Sequence, residues 1–432
     1  MNIRRIFAVL SSLLVAGCFS TFAQTGNGDT GFTPYSIFGL GDLSRPGTAY
    51  NLSMGGIGIG DRNASVINVV NPASITEREQ KSFMMDFGLG NQNSVYTQGN
   101  LKSAHNSFNM RDIVATMPIT RKSAFKVGIA PYSTISYKFI NEEKDEDVLA
   151  NVGDVEFADY GEGSIYQAVL GGAVTLFDRL SIGVDGQYYF GNISRHTDAV
   201  FTTSSYYNNI TAGWNYLVSS FSAKFGLQYS QPLGKRHEAV IGATYSLGNN
   251  IGGRRTRYVY GVNESKTDTL FHSLQNMDAF NIPAEIGVGI TVREKNKWMV
   301  GFDYVTQDWS KSTFESTPGI NFTTARLQSF RAGFEFIPNR YDIRYYVKRI
   351  TYRGGVYHEK SYMCLDGNQI SSTGITLGAS FPLSPTLFNA ISVGVDLGQR
   401  GSSKGNLVKE RYVLVNVSFN IHDIWFLKHL YN

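Results

Sequence analysis

From Leu180 to Phe190 the chain alternates without a slip: Leu180, Ile182, Val184, Tyr188 and Phe190 fall on one face, and Ser181, Asp185, Gln187 and Tyr189 on the other. A period of two is the mark of a β-strand, whose successive side chains point to opposite faces. The alternation returns over Phe125 to Ala130, Phe221 to Tyr229, Trp298 to Gln307, Ile391 to Gly398 and Tyr412 to Ile421. Each time the apolar face is unbroken and the other is small, polar or charged. A soluble sheet also alternates, so the connections decide. Short turns fall near Thr120 to Ser123, Asp178-Arg179, Pro232 to His237, Glu294 to Lys297, Pro338 to Arg340 and Leu383 to Pro385. Long polar stretches lie between them, near Asn91 to His105, Lys138 to Gly163, Gly191 to Ala212, Ile251 to Pro283, Ser310 to Leu327, His358 to Ser372 and Arg400 to Lys409. Short turns at one end and long loops at the other predict an all-β fold, a transmembrane antiparallel β-barrel. The count from Ser82 to Ile421 is about 14 strands, each long enough for the roughly 9–11 residues that a tilted spanning strand needs. An even count leaves both chain ends on the side of the short turns, the periplasmic one. Closure also satisfies every backbone N–H and C=O in lipid. An exported soluble multi-sheet protein is the competing reading.

The amino terminus agrees with export. "MNIRRIFAVLSSLLVAGCFSTFAQ" carries Arg4 and Arg5, an apolar run from Ile6 to Gly17 and a small-residue ending at Ala23. That is the pattern of a secretory signal peptide over residues 1–23, too short for a spanning helix of about 20 apolar residues. Val15-Ala16-Gly17-Cys18 also resembles a lipidation signal, which would make Cys18 the new amino terminus. Cleavage after Ala23 leaves Cys364 as the remaining cysteine of two, so no intramolecular disulfide forms.

Composition narrows the class further. In 432 residues, hydrophobic types reach 42% and no later run approaches a spanning helix. With Arg4 and Arg5 removed, 39 basic residues become 37 against 35 acidic, a net charge of +2. This balance gives no basic face for nucleic acid. The 45 Gly, 25 Tyr and 28 Phe suit a sheet that meets lipid.

Before the first strand lies a segment rich in Gly, Asn, Ser and Pro, residues 24–80. Its centre, "SMGGIGIGDRNASVINVVNPASI", holds Gly55, Gly56, Gly58 and Gly60 and then Asn71, Pro72 and Ala73. A dinucleotide loop requires G-x-G-x-x-G between strand and helix; the third glycine is missing and no helix pattern follows. Phosphate cradling is therefore excluded. "RPGTAYNLSMGGIGIGDRNASVINVVNPASI" instead resembles the amino-terminal hatch of the FadL-type outer-membrane transporters of long-chain fatty acids and other hydrophobic compounds. "IPAEIGVGITVREKNKWMVGFDYVTQDWSKSTF", with Asp303, Trp309 and Ser310, is similar to a strand pair of that family, and "SFRAGFEFIPNRYDIRYYVKR" to its next hairpin. Together the matches cover about a fifth of the chain.

The resemblance implies a bacterial outer-membrane barrel over residues 81–421, plugged from the periplasmic side by residues 24–80 and followed by a tail over 422–432. It implies capture of hydrophobic small molecules such as fatty acids, passage through the lumen, and sideways release into outer-membrane lipid. Gly55, Gly56, Gly58, Gly60, Asn71, Pro72 and Ala73 would belong to the hatch, either as a gate or as a fixed plug. Alternation places Lys126 and Arg331 inward, as weak candidates for ligand contact or as members of lumen charge networks with Asp185, Asp303 and Glu335. A different class of function sits on the same barrel. Some relatives resemble components of type IX secretion systems and act as scaffolds or shuttles, so secretion-system proteins are possible partners.

Nothing points to an enzyme, a cofactor or a metal. His105, His196, His237, His272, His358, His422 and His429 show no ligand spacing, and Cys364 stands alone. Gly378-Ala379-Ser380-Phe381-Pro382 lacks the second glycine of a nucleophile elbow. The acidic run from Asn141 to Glu156 reads as a solvated loop.

Overall fold

The computed structural model describes residues 32–202, 207–263, 266–312, 314, 321–384, 387–402 and 407–425. The leader, the cleavage site after Ala23, Cys18 and the chain beyond Trp425 lie outside the described residues. No helix among the described residues is long and apolar enough to cross a membrane.

Fourteen antiparallel strands close into one barrel. They are β1 (Ser82–Gln98), β2 (Leu101–Thr120), β3 (Ser123–Glu142), β4 (Val155–Leu176), β5 (Leu180–Phe201) and β6 (Asn209–Leu233). Next come β7 (His237–Ser246 and Asn249–Val262) and β8 (Thr267–Ile282 and Glu285–Glu294), each bent in the middle, then β9 (Trp298–Asp308) and β10 (Phe322–Thr324 and Arg326–Phe336). The circuit ends with β11 (Thr351–Leu365), β12 (Asn368–Pro382), β13 (Ala390–Arg400) and β14 (Lys409–Ile424). Closure is made by β14 on β1, from Ile424 opposite Ser82 to Lys409 opposite Thr97. Pairing of His422 with Met84 extends β14 three residues into the segment read as a tail.

Over the half nearest the short turns the wall is polar inside and apolar outside. On β5, Ser181 and Asp185 are 0% and 2% exposed, whereas Val184 is 42% exposed. This inverts a soluble core and leaves an apolar outer band, as a lipid-facing surface requires. Aromatic rings bound the band on the long-loop side: Tyr188 stacks with Phe190 and lies 4.6 Å from Phe221, and Tyr166 packs on Phe190.

Above those rings the structure departs from the sequence reading. The polar stretches near Asn91 to His105, Lys138 to Gly163, Gly191 to Ala212, Ile251 to Pro283 and His358 to Ser372 are largely strand, not loop. There the outer face meets water, so the apolar residues turn inward. Tyr35, Phe38 and Leu40 of the amino-terminal segment join Ile193, Tyr216, Trp309 and Tyr362 in a hydrophobic cap over the lumen. The change of regime falls at a glycine step: Gly163 (φ +115°) and Gly191 (φ +142°) face each other's ladder, and a Cβ on either would lie 2.1 Å from a carbonyl oxygen. Conversely, the turn placed at Pro338 to Arg340 is longer, running to Ile350 with a 3-10 turn at Tyr346–Arg349. Asp342 shapes it by accepting the backbone N–H groups of Arg344 and Tyr345.

Residues 33–76 thread through the lumen, and most of them are buried. Little in them is regular: a 3-10 turn Pro34–Ile37, a helix Ala49–Leu52 and a second 3-10 turn Pro72–Thr76. Asn71 accepts the N–H of Ala73 to start that last turn, with Pro72 fixed at its first position, where a missing N–H costs nothing.

Candidate functional site

The barrel wall has a window. β2 and β3 pair only from Thr120 opposite Ser123 up to Ile113 opposite Ile129. Beyond, β2 pairs on with β1 and β3 with β4, but not with each other. Two local causes sit at the fork. Arg111 is an extra residue in β2, between Met110 opposite Leu89 and Asp112 opposite Gly88, and such a bulge bends its strand. Pro131 in β3 has no N–H to give a ladder. The fork begins level with the aromatic ring, since Pro131 lies opposite Tyr166 and Tyr166 opposite Phe190.

Part of the free edge of β3 is taken by the inner segment. Asp42–Leu43 forms a two-residue strand against Thr134 and Ser133. The N–H of Thr33 donates to the carbonyl of Ser136 at 3.0 Å and that of Ser44 to Tyr132 at 2.9 Å. A cavity of about 210 Å³ remains in the window, between Ser107, Asn109 and Arg111 on one lip and Pro131, Thr134 and Ser136 on the other. It abuts a lumen cavity of about 180 Å³ that both lips share, with Arg45, Arg111 and Pro131 lining both.

Lys126 and Arg331 both point inward and line that lumen cavity. Neither is a free cation. Lys126 Nζ lies 2.8 Å from Asp185, and Arg331 hydrogen-bonds Ser329 at 2.9 Å and the carbonyl of Gly56 at 3.3 Å, with Glu359 at 3.7 Å. Around them Lys224 meets Glu285, Arg45 meets Asp396, Arg293 meets Glu238 and Arg353 meets Glu335. Buried charges survive in a low dielectric when paired in this way.

Each singled-out residue of the inner segment touches the wall or shapes the segment. Gly55 (φ +71°) donates its N–H to Thr376 Oγ1 at 2.8 Å, and a Cβ there would sit 2.7 Å from the carbonyl of Val356. Gly56 rests on Arg331. The N–H groups of Gly58 and Ile59 donate to Asp303 at 2.7 and 2.8 Å. Gly60 lies against the backbone of Ile290 and accepts from Thr291 at 2.7 Å. Asn71 donates to the carbonyls of Ile59 and Leu227, while Pro72 and Ala73 pass over Gly183 and Gly226, where an added Cβ would come within 2.4 and 2.1 Å of inner-segment atoms. Glycines in the wall thus make the seat.

The resemblance implied a sideways exit, but the place of the window was not legible, because a bulge and an unpaired edge leave no local pattern. Sequence reasoning missed Asp61, buried in the inner segment with Tyr50 donating to it at 2.8 Å. Burial pushes its carboxyl up to about 6, against the opposing charge of Arg293. Among the described residues no group of three His, Cys, Asp or Glu is placed to hold a metal.

The BamG family model matches residues 2–432. No curated protein matches the sequence. Among solved structures the chain is similar to the CymD monoaromatic hydrocarbon channel, at 15% identity over 91% of this chain and 100% of that one with a TM-score of 0.57. It is similar to the Ralstonia pickettii toluene transporter TbuX at 14% identity, over 87% and 98%, with a TM-score of 0.55. A Pseudomonas aeruginosa FadL homologue aligns at 11% identity over 89% and 100%, with a TM-score of 0.55. At these identities the likeness establishes a shared barrel fold.

Proposed function

The chain belongs to the BamG family, and from that premise we propose that it is a plugged outer-membrane channel for uncharged hydrophobic small molecules, which pass sideways through the window between β2 and β3. The observation that carries this is the window itself, joined to a lumen cavity and set beside the apolar band. Polar hydrogen-bonding groups at a gap in lipid are tolerated only where they line a cavity or meet other protein. The titles of the similar structures name monoaromatic hydrocarbons and toluene. At Lys126 and Arg331 the charges support neutral cargo over long-chain fatty acids, because both already hold carboxylate partners, whereas Arg111 in the window has none among the described residues. Size is in keeping with a small cargo: the lumen cavity of about 180 Å³ and the window cavity of about 210 Å³ are each below the roughly 300–1,000 Å³ of common ligand sites.

A second reading, a non-conducting scaffold or shuttle for secreted proteins, draws support from the density of bonds that seat the inner segment. The two separate in one experiment. Uptake of a labelled monoaromatic hydrocarbon and of a labelled long-chain fatty acid is measured in cells with the gene deleted, restored, or restored as Ser107→Trp with Ser136→Trp, which fills the window. The expected result is a several-fold loss of hydrocarbon uptake on deletion, recovery on restoration and no recovery with the filled window. Hydrocarbon uptake indifferent to all three would end the channel reading and favour the scaffold.

A further inference from the structure

At the short-turn end, below the inner segment, lies a separate cavity of about 470 Å³, within the usual size of a ligand site. Its arginines differ from those of the lumen. Arg78 is buried, and its Nη1 donates to the carbonyls of Asn63 and Ala64 at 2.9 and 3.1 Å, but Nε and Nη2 have no partner among the described residues. Arg349 lies 4.9 Å over the Tyr346 ring with its Nε buried and likewise unpartnered. Arg340 donates to Asn296 at 2.9 Å and lies 4.8 Å from the Phe388 ring. None of the three has a described carboxylate within 4.0 Å. Of the acids that line the cavity, Glu77 pairs with Arg62, Glu294 with Lys297 and Glu335 with Arg353, while Glu79 lies 3.6 Å from His422.

A buried guanidinium with unfilled donors, flanked by two half-buried ones, gains from an anion that joins them. The Nε and Nη2 of Arg78 form one edge of the guanidinium, the fork that takes two oxygens of a carboxylate or phosphate at once. Burial lowers this guanidinium to about 10, so it is still cationic at neutral pH. Val66, Trp298, Met299, Ile337 and Phe388 give the wall an apolar patch among polar and charged side chains. We propose that this mouth is a binding site for an oxyanion, a carboxylate or phosphate group carried on an apolar body, with Arg78 as the bidentate anchor and Arg340 and Arg349 completing the charge. The site stands apart from the window and does not depend on what passes there.

The test is calorimetric titration of the purified full-length barrel in neutral detergent with inorganic phosphate, laurate and, as an uncharged control, dodecanol. The wild type is expected to bind at least one of the anions and to bind dodecanol at least tenfold more weakly. Arg78→Gln and Arg349→Gln are each expected to weaken the anion at least tenfold. Arg349 makes no hydrogen bond to the inner segment among the described residues, so its variant reports on binding even if the loss of Arg78 loosens that segment. Laurate tighter than phosphate identifies an amphiphile as the source; phosphate alone identifies a headgroup or free phosphate. No anion binding at millimolar concentration, or affinity unchanged in Arg349→Gln, overturns the proposal.

Discussion

Asp61 sits in a lumen that holds many neutralised pairs, yet its acceptor contact with Tyr50 does not restore what burial removes. In the folded chain its carboxyl titrates at about 6, above the usual value of 3.8, so between those values the fold holds a proton that the unfolded chain releases. The stabilisation is present below about 4 and is lost as pH rises through 6, a displacement worth roughly 3 kcal/mol. Thermal unfolding in detergent is therefore expected at a higher temperature at pH 5 than at pH 7.5, and Asp61→Asn is expected to flatten that slope. An unchanged slope in the variant would assign it to another group. At this scale the sequence was partly legible. Alternation placed Lys126, Arg331, Asp185, Asp303 and Glu335 inward, because period two fixes a side even when partners are unknown. It did not foresee that Asp303 serves two N–H groups of the inner segment, a contact 244 and 245 residues distant along the chain.

Strands were legible where lipid imposes the pattern and misread where water does. β5 shows both regimes in 22 residues: Leu180 to Phe190 carry the apolar face outward, and beyond Gly191 the apolar face turns in toward the cap. The second half still alternates, yet with few apolar residues among Thr, Ser, Asn and Asp it looks like loop. Ladder hydrogen bonds hold it as strand. In the hairpin of β7 and β8, Tyr260 pairs with Thr269 beyond the outer band. Replacing Gly261–Asp268 with Asn-Gly, the preferred two-residue turn, is expected to leave the barrel's unfolding temperature within about 2 °C, since no lipid-facing surface is removed. Loss of the heat-resistant folded band on a gel would show that the extension is needed for assembly. The window remained hidden for a different reason: it is a relation between residues 101–112 of β2 and 130–142 of β3, and neither stretch looks unusual alone.

Across the whole molecule the lumen is sealed twice, by the apolar cap at the long-loop end and by the seated inner segment below, with the window between them at the side. Removal of residues 53–75 takes away the lower seal while leaving the strand ladder intact. Because the wall it exposes is polar, the truncated barrel is expected to admit small water-soluble antibiotics that the intact one excludes, read as a several-fold fall in inhibitory concentration. Unchanged sensitivity would mean that the cap alone closes the passage.

The ring of strands is completed by β14 meeting β1, the last strand joining the first. The inner segment precedes β1 in the chain and is wrapped on every side by that ring. It is joined to the ring at Ser82, which lies opposite Ile424 in the seam. Seam and inner segment therefore share one root, so whatever pries the first strand from the last also loosens the anchorage of what fills the barrel.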